Sequence, residues 1–129
     1  MKSPTFFIVG AAKAGTTSLN DYLAQYSDIF VPAVKEMHFF GNDLQQKQRK
    51  NSSLNRDQYL SFFADMSDEK VAGEASVLYL KSETAACEIR EFCPEAKIIV
   101  MLREPVQMLH ALHAQLISQG DENILDFEE

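Results

Sequence analysis

The chain has 129 residues, which is enough for one domain with a moderate hydrophobic core. Hydrophobic residues make up 46% and charged residues 24%, a balance typical of globular domains. With 12 basic and 19 acidic residues the net charge is −7, which argues against a general nucleic-acid-binding protein and disfavours a highly sulfated or anionic polysaccharide as the substrate. No segment approaches the roughly 20 apolar residues of a membrane span.

The two cysteines, Cys87 and Cys93, lack the spacing of metal ligands and lie far from any cluster of ligating residues. We interpret them as reduced thiols of a cytoplasmic protein, and the sequence predicts no metal site. The apolar run at 6–12 is interrupted by Lys13, so it is better explained as a strand and a loop than as a signal peptide.

The first element is a run of bulky apolar residues at 6–9, bounded by Pro4 and Gly10, which predicts a strand buried on both faces of a parallel sheet. A loop of small residues follows, and a helix is predicted to begin at Thr16. Its apolar stripe consists of Leu19, Tyr22, Leu23 and Tyr26. Free N–H groups of the first turn, the helix dipole and Lys13 together predict a phosphate-binding loop.

The remaining elements alternate between strands and helices, which predicts one α/β domain over residues 1–129 with a parallel sheet. The predictions are an extended piece at 29–32, an exposed loop at 41–56, a helix from Asp57 to about residue 65, a strand at 70–74, a helix from Ser82 to Phe92, a central strand at 96–103 and a helix from Pro105 to Gln119 ended by Gly120. Only about three strands are counted, so we expect the N-terminal part of a longer domain or a reduced version of one.

The spacing Gly10-x-x-x-x-Gly15-Thr16-Thr17 nearly matches the nucleotide-triphosphatase motif G-x-x-x-x-G-K-[ST], but Thr16 stands where that motif has lysine. The stretch resembles the loop G-x-x-K-[AGST]-G-T-[ST]-x-L of the sulfotransferases that use 3′-phosphoadenosine 5′-phosphosulfate (PAPS). The resemblance implies a P-loop-NTPase-like three-layer fold, incomplete at its C-terminus. It also implies that the 5′-phosphosulfate is bound by Lys13, Ala14, Gly15, Thr16, Thr17 and Ser18.

A second segment, residues 97–106, resembles the family's L-R-[ND]-P-[VA] turn, in which the arginine binds the 3′-phosphate of PAPS. Arg103 would stand at the carboxyl end of a strand, where ligands bind in parallel sheets, and its planar fork suits a phosphate. The family's serine eight positions later is Ala111 here. Losing one hydrogen bond to a charged group costs roughly 1.5–3 kcal/mol, so either another donor compensates or PAPS binds more weakly.

A third segment, residues 35–40, resembles the K-E-x-x-F-F pattern of heparan-sulfate-type and related bacterial sulfotransferases, in which the glutamate is the general base. The resemblance favours Glu36, with His38 as the rival base because cytosolic-type relatives use a histidine. Lys13 would neutralise the charge on the leaving group. Residues 73–76 resemble a loop that borders the acceptor pocket, which makes Glu74 and Ser76 candidates for substrate contact.

Together the three segments imply a PAPS-dependent sulfotransferase that transfers a sulfuryl group in line, without a metal, to a small-molecule, lipid or carbohydrate acceptor. The sequence defines neither the acceptor nor the oligomeric state. A non-catalytic domain that binds adenosine 3′,5′-bisphosphate is one alternative. A P-loop kinase is another, disfavoured because Thr16 replaces the lysine and Arg103 occupies the place of the Walker-B aspartate.

Overall fold

The structure is a computed structural model that describes residues 2–44, 54–125 and 127. The main elements are β1 (Phe6–Gly10), α1 (Thr16–Leu23), β2 (Ile29–Phe30), α2 (Arg56–Ser61), β3 (Val71–Ala75), a 3₁₀ helix (Tyr79–Lys81), α3 (Ala85–Phe92), β4 (Lys97–Val100) and α4 (Pro105–Gln119). Within the described ranges, no helix is long and apolar enough to cross a bilayer.

The four strands form one parallel sheet in the order β2–β3–β1–β4. Phe6 of β1 is opposite Gly73 of β3 on one side and opposite Lys97 of β4 on the other. All five residues of β1 are buried, which confirms the prediction of a strand covered on both faces. The parallel α/β fold is likewise confirmed.

Alternate residues of β1 point into two different hydrophobic layers, as the two-residue period of a strand requires. Phe7 and Val9 pack into a cluster with aromatic residues and with side chains of α2 and α3. Phe6 and Ile8 pack on the other face, against Leu19 and other side chains from α1 and β2. The sheet is therefore covered on both faces, which gives the expected three-layer arrangement.

The strand predicted to be central lies at the edge of the described sheet. Among the described residues β4 pairs with β1 alone, and Ile98 and Val100 are about half exposed. Within the described residues the prediction of a central strand is not met, because an apolar strand sequence shows what the strand is able to bury. It does not show how many neighbouring strands flank it.

The stripe predicted for α1 is only half correct. Leu19 and Leu23 pack against the sheet, but Tyr22 and Tyr26 are 65% and 64% exposed. The helix ends at Leu23, so Tyr26 lies beyond its last turn, where helical spacing no longer decides which way a side chain points.

Two helix starts differ from the prediction. Asn55, not Asp57, caps α2 through a reciprocal capping box with Gln58, and this helix ends at Ser61. In α3 the helix begins at Ala85, whose N–H donates to the Ser82 hydroxyl at 2.9 Å. The predicted bounds of α4 are confirmed, and most of the loop predicted at 41–56 lies outside the described residues.

Replacing Gly73 by alanine should destabilise the fold, because a Cβ atom at this position would overlap the ring of the buried Phe6. We expect Gly73→Ala to lower the free energy of unfolding by about 1–3 kcal/mol in urea denaturation, the usual cost of overpacking. Combining it with Phe6→Leu should cost less than the sum of the two single changes. Strict additivity would contradict this close approach.

Candidate active site

The two loops that follow β1 and β4 lie side by side at the carboxyl edge of the sheet. The N–H of Met101 donates to the Gly10 carbonyl at 2.8 Å, and the N–H of Ala11 donates to the Met101 carbonyl at 2.7 Å. The pairing of the strands thus continues past their ends. It places the small-residue loop beside the turn that enters α4, at the edge where parallel sheets bind ligands.

The loop after β1 presents an uncapped helix N-terminus. Gly15 occupies the N-cap of α1 with φ 85°, in the left-handed region that favours glycine, and no side chain caps the first turn. Lys13 also has a positive φ of 59°. First-turn N–H groups without a capping side chain, together with the helix dipole, are the features that favour an anion at a helix N-terminus.

Arg103 bridges the two loops. Its Nη1 donates to the carbonyl oxygen of Lys13 at 3.1 Å. The next residue, Glu104, caps α4 by accepting hydrogen bonds from the N–H groups of Val106 and Gln107 at 3.1 and 2.8 Å. This cap fixes the start of the helix directly after Arg103. A guanidinium has five N–H donors, so one bond to Lys13 leaves donors for an anion.

The third component is the segment that carries Glu36. Its carboxylate lies between two potential cations, with Lys35 Nζ at 3.5 Å and His38 Nε2 at 3.3 Å. Lys35 also donates to the Thr17 hydroxyl at 2.9 Å, which links this segment to the first turn of α1. The hydrogen bond with His38 and the charge of Lys35 hold the pKa of Glu36 below its ordinary value, although partial burial opposes them.

These three components enclose a cleft of about 360 Å³. It is lined by Ala12, Lys13, Gly15, Thr16, Thr17, Ser18, Lys35, Glu36, Val77, Arg103 and Gln115. Three of these residues are cationic and one is anionic, so the cleft carries an excess of positive charge in a chain whose net charge is −7. Such a local field attracts an anionic ligand.

Most of the predicted site residues meet at this cleft. The exceptions on the donor side are Ala14, which is 7% exposed, and Ala111, which is half-buried on α4; neither lines the cleft. His38 reaches the site through its contact with Glu36. In the described part of the chain, no group of His, Cys, Asp or Glu is arranged to hold a metal ion, and both cysteines are free thiols.

The prediction that Glu74 and Ser76 contact the acceptor requires correction. Glu74 is 2% exposed and Ser76 is fully buried, and neither lines the cleft. Their side chains bond to each other at 3.1 Å, and Glu74 also accepts hydrogen bonds from two tyrosine hydroxyls. Burial at this level leaves no surface for an acceptor to touch.

Among the cleft residues outside the small-residue loop, sequence reasoning missed Lys35, Val77 and Gln115. A signal was present for two of them. Lys35 directly precedes Glu36, the predicted base, so a ligand that reaches Glu36 would also meet the Lys35 ammonium. Gln115 lies four residues after Ala111 and therefore on the same face of α4. Val77 follows β3 and carries no chemical signal of its own.

Comparison with known proteins places this geometry in a family. No family model matches the chain. A solved sulfotransferase from Alicyclobacillus acidocaldarius superimposes with a TM-score of 0.87 at 35% identity, over 99% of this chain and 55% of that one. The membrane-associated sulfotransferase kil1 of Dictyostelium discoideum is 30% identical over 81% of this chain and 21% of its own length. Human bifunctional heparan sulfate N-deacetylase/N-sulfotransferase 3 is 29% identical over 96% of this chain and 14% of its own.

The fold defines a P-loop-like α/β domain, in which a parallel strand leads through a loop of small residues into the N-terminus of a helix. Within that class, the chain belongs to the sulfotransferase family, as the sequence resemblance implied. It spans 21% of the length of kil1 and 55% of the solved bacterial protein.

Removing the charge of Lys35 should raise the pKa of Glu36, because the ammonium stabilises the carboxylate form. We expect Lys35→Met to move the Glu36 titration, followed by carboxyl carbon NMR, to higher pH. Lys70→Met is the matched control, since Lys70 pairs with Asp28 at 2.9 Å outside the cleft. An identical Glu36 titration in both variants would contradict the proposed contact.

Proposed function

We propose that this chain carries the donor site and the acceptor base of a PAPS-dependent sulfotransferase. The observation that carries the proposal is the bridge from Arg103 to the Lys13 carbonyl, because it brings two separate anion-binding groups to one cleft beside Glu36. The family relationship supports sulfuryl transfer as the reaction.

The chemistry of the cleft fits a nucleotide with an anionic group at each end. In this proposal Lys13 and the first turn of α1 bind the 5′-phosphosulfate, where the small loop residues allow close approach to the backbone. Arg103 binds the 3′-phosphate with the donors that are not engaged by Lys13. The positive charge of the cleft supports a ligand with several negative charges.

The donor supplies the sulfuryl group, whose bond to the phosphate oxygen breaks as its bond to the acceptor oxygen or nitrogen forms. Glu36 accepts the proton that the acceptor loses during this attack. Lys13 neutralises the negative charge that builds on the departing phosphate oxygen. Both side chains line the same cleft, so the two tasks need no large rearrangement of the chain.

The contacts of Glu36 support it over His38 as the base. Glu36 lines the cleft, and like any exposed or half-exposed glutamate it is ionised at neutral pH and able to accept a proton there. His38 Nε2 lies 3.3 Å from this carboxylate, where it is able to orient it. We therefore assign His38 a supporting role in place of direct proton transfer.

For the acceptor, we propose a carbohydrate hydroxyl or amine. This proposal is supported by the relative that is named as a heparan sulfate N-sulfotransferase. Its similarity to this chain extends over the residues that line the cleft. A small-molecule or lipid acceptor is the other outcome that a transfer assay distinguishes. A cytoplasmic location remains a prediction from the sequence.

Donor recognition is tested by calorimetry with adenosine 3′,5′-bisphosphate and with ATP. We expect the bisphosphate to bind more tightly, and Arg103→Met to weaken it by about tenfold to a hundredfold, as expected for the loss of a charge-assisted hydrogen bond. Arg90→Met, on α3 away from the cleft, should have no effect. A preference for ATP would favour a kinase, and binding of neither nucleotide would contradict the donor site.

Catalysis is tested by transfer of labelled sulfate from PAPS to a panel of carbohydrate, lipid and small-molecule acceptors. Lys13→Ala should reduce the rate by about a hundredfold or more, because a cation at the leaving group acts mainly in the transition state. Its thermal midpoint should match that of the unchanged protein. Full activity in Lys13→Ala would remove this residue from the mechanism, and bisphosphate binding without any transfer would favour the non-catalytic alternative.

A further inference from the structure

Directly beneath the segment that carries Glu36 lies a buried carboxylate that the proposed reaction does not use. Glu74 of β3 is 2% exposed. Its Oε1 accepts hydrogen bonds from the hydroxyls of Tyr59 at 2.8 Å and Tyr79 at 2.7 Å, and its Oε2 accepts one from Ser76 at 3.1 Å. A buried carboxylate needs such partners, because burial alone raises its pKa and disfavours its charged form.

Two of these three hydroxyls also accept hydrogen bonds from the backbone of the segment. Tyr79 accepts from the N–H groups of Phe39 at 3.0 Å and Phe40 at 3.4 Å. Ser76 accepts from the N–H of His38 at 3.2 Å. A hydroxyl has a single proton. When the Tyr79 and Ser76 hydroxyls each donate their proton to Glu74, the lone pairs of their oxygens accept hydrogen bonds from the three backbone N–H groups.

The segment needs this support because its backbone is strained. Glu36 has φ 64° and His38 has φ 48°, both in the left-handed region that residues with a Cβ atom avoid. Such conformations persist only where the surroundings fix them. The N–H of Glu36 donates to the Ala75 carbonyl at 3.1 Å, so the end of β3 holds the other side of the strained stretch.

We propose that Glu74 is a positioning residue, which holds the acceptor base Glu36 in the cleft by fixing the hydroxyls of Tyr79 and Ser76 against the backbone of residues 38–40. The inference rests on the proposed function for its catalytic consequence. Glu74 itself touches neither the cleft nor the reacting groups.

The chain offers a matched pair of variants. Tyr59→Phe and Tyr79→Phe each remove one hydroxyl from a buried ring, and both hydroxyls bond to the same oxygen of Glu74. The Tyr79 hydroxyl also accepts hydrogen bonds from the backbone of the segment, whereas the Tyr59 hydroxyl donates to Glu74. A merely structural role for the cluster predicts that the two variants behave alike.

The first measurement is amide hydrogen exchange by NMR on the full chain, normalised to the global stability of each variant. In Tyr79→Phe the amides of Phe39 and Phe40 should exchange about tenfold faster, the effect of losing a hydrogen bond of ordinary strength. In Tyr59→Phe they should keep their protection. Equal exchange in the two variants overturns the proposal. If Tyr79→Phe does not fold, Ser76→Ala replaces it, with the amide of His38 as the probe.

The second measurement is transfer kinetics. We expect Tyr79→Phe to lower kcat by about tenfold or more, since small displacements of a catalytic group have large effects. The KM for PAPS should change less than kcat, because the link from the segment to the donor loop, the bond from Lys35 to Thr17, lies outside residues 38–40. The acid limb of the profile of kcat/KM against pH should move to higher pH, as Glu36 loses the contacts that lower its pKa. Tyr59→Phe should remain within about twofold of the unchanged protein.

The two failures are distinguishable. If the unchanged chain transfers no sulfate, the proposed function is wrong, while the exchange measurement still decides whether the Tyr79 hydroxyl that bonds to Glu74 fixes the segment. If transfer occurs and the two tyrosine variants lose kcat equally, the positioning role is wrong and the proposed function stands.

Discussion

The cleft depends on one constraint, which is the pairing of β1 with β4 beyond the ends of both strands. The backbone bonds of Gly10 and Ala11 with Met101 extend the ladder into the two loops. Beyond these bonds, Arg103 donates a hydrogen bond to the carbonyl of Lys13, 90 residues earlier in the sequence. Without this register, Lys13 and Arg103 would belong to separate loops and would not line one cleft.

The acceptor side of the cleft depends in the same way on β3. The carbonyl of Ala75 accepts a hydrogen bond from the N–H of Glu36. Glu74 accepts hydrogen bonds from the hydroxyls of Ser76 and Tyr79, which contact the backbone of residues 38–40. Three neighbouring strands thus each contribute one part at their carboxyl ends: β1 the loop that carries Lys13, β4 the turn that carries Arg103, and β3 the contacts of the segment that carries Glu36. The sheet fixes the backbone beneath these charged side chains. They therefore keep fixed places beside one another at the carboxyl ends of the strands.

The parts that sequence reasoning predicted correctly are those encoded locally. The apolar run of β1 and the Pro105 and Gly120 that bound α4 act within a few residues, and both elements were found. The meeting of Lys13 and Arg103 followed from parallel strands sharing one edge. The burial of Glu74 was not predicted, because it depends on the place of β3 between two other strands of the sheet, which no local pattern encodes. The same limit applies to β4, whose neighbours in the sheet no local pattern encodes.

The departure at position 111 shows how the structure changes a conclusion drawn from the sequence. An alanine there removes the hydroxyl that the family resemblance implied for the 3′-phosphate, yet Ala111 does not line the cleft. Gln115 does line it, one turn further along the same face of α4. A glutamine amide carries two N–H donors, one more than a serine hydroxyl. The loss at position 111 therefore does not leave α4 without a hydrogen-bond donor at the cleft.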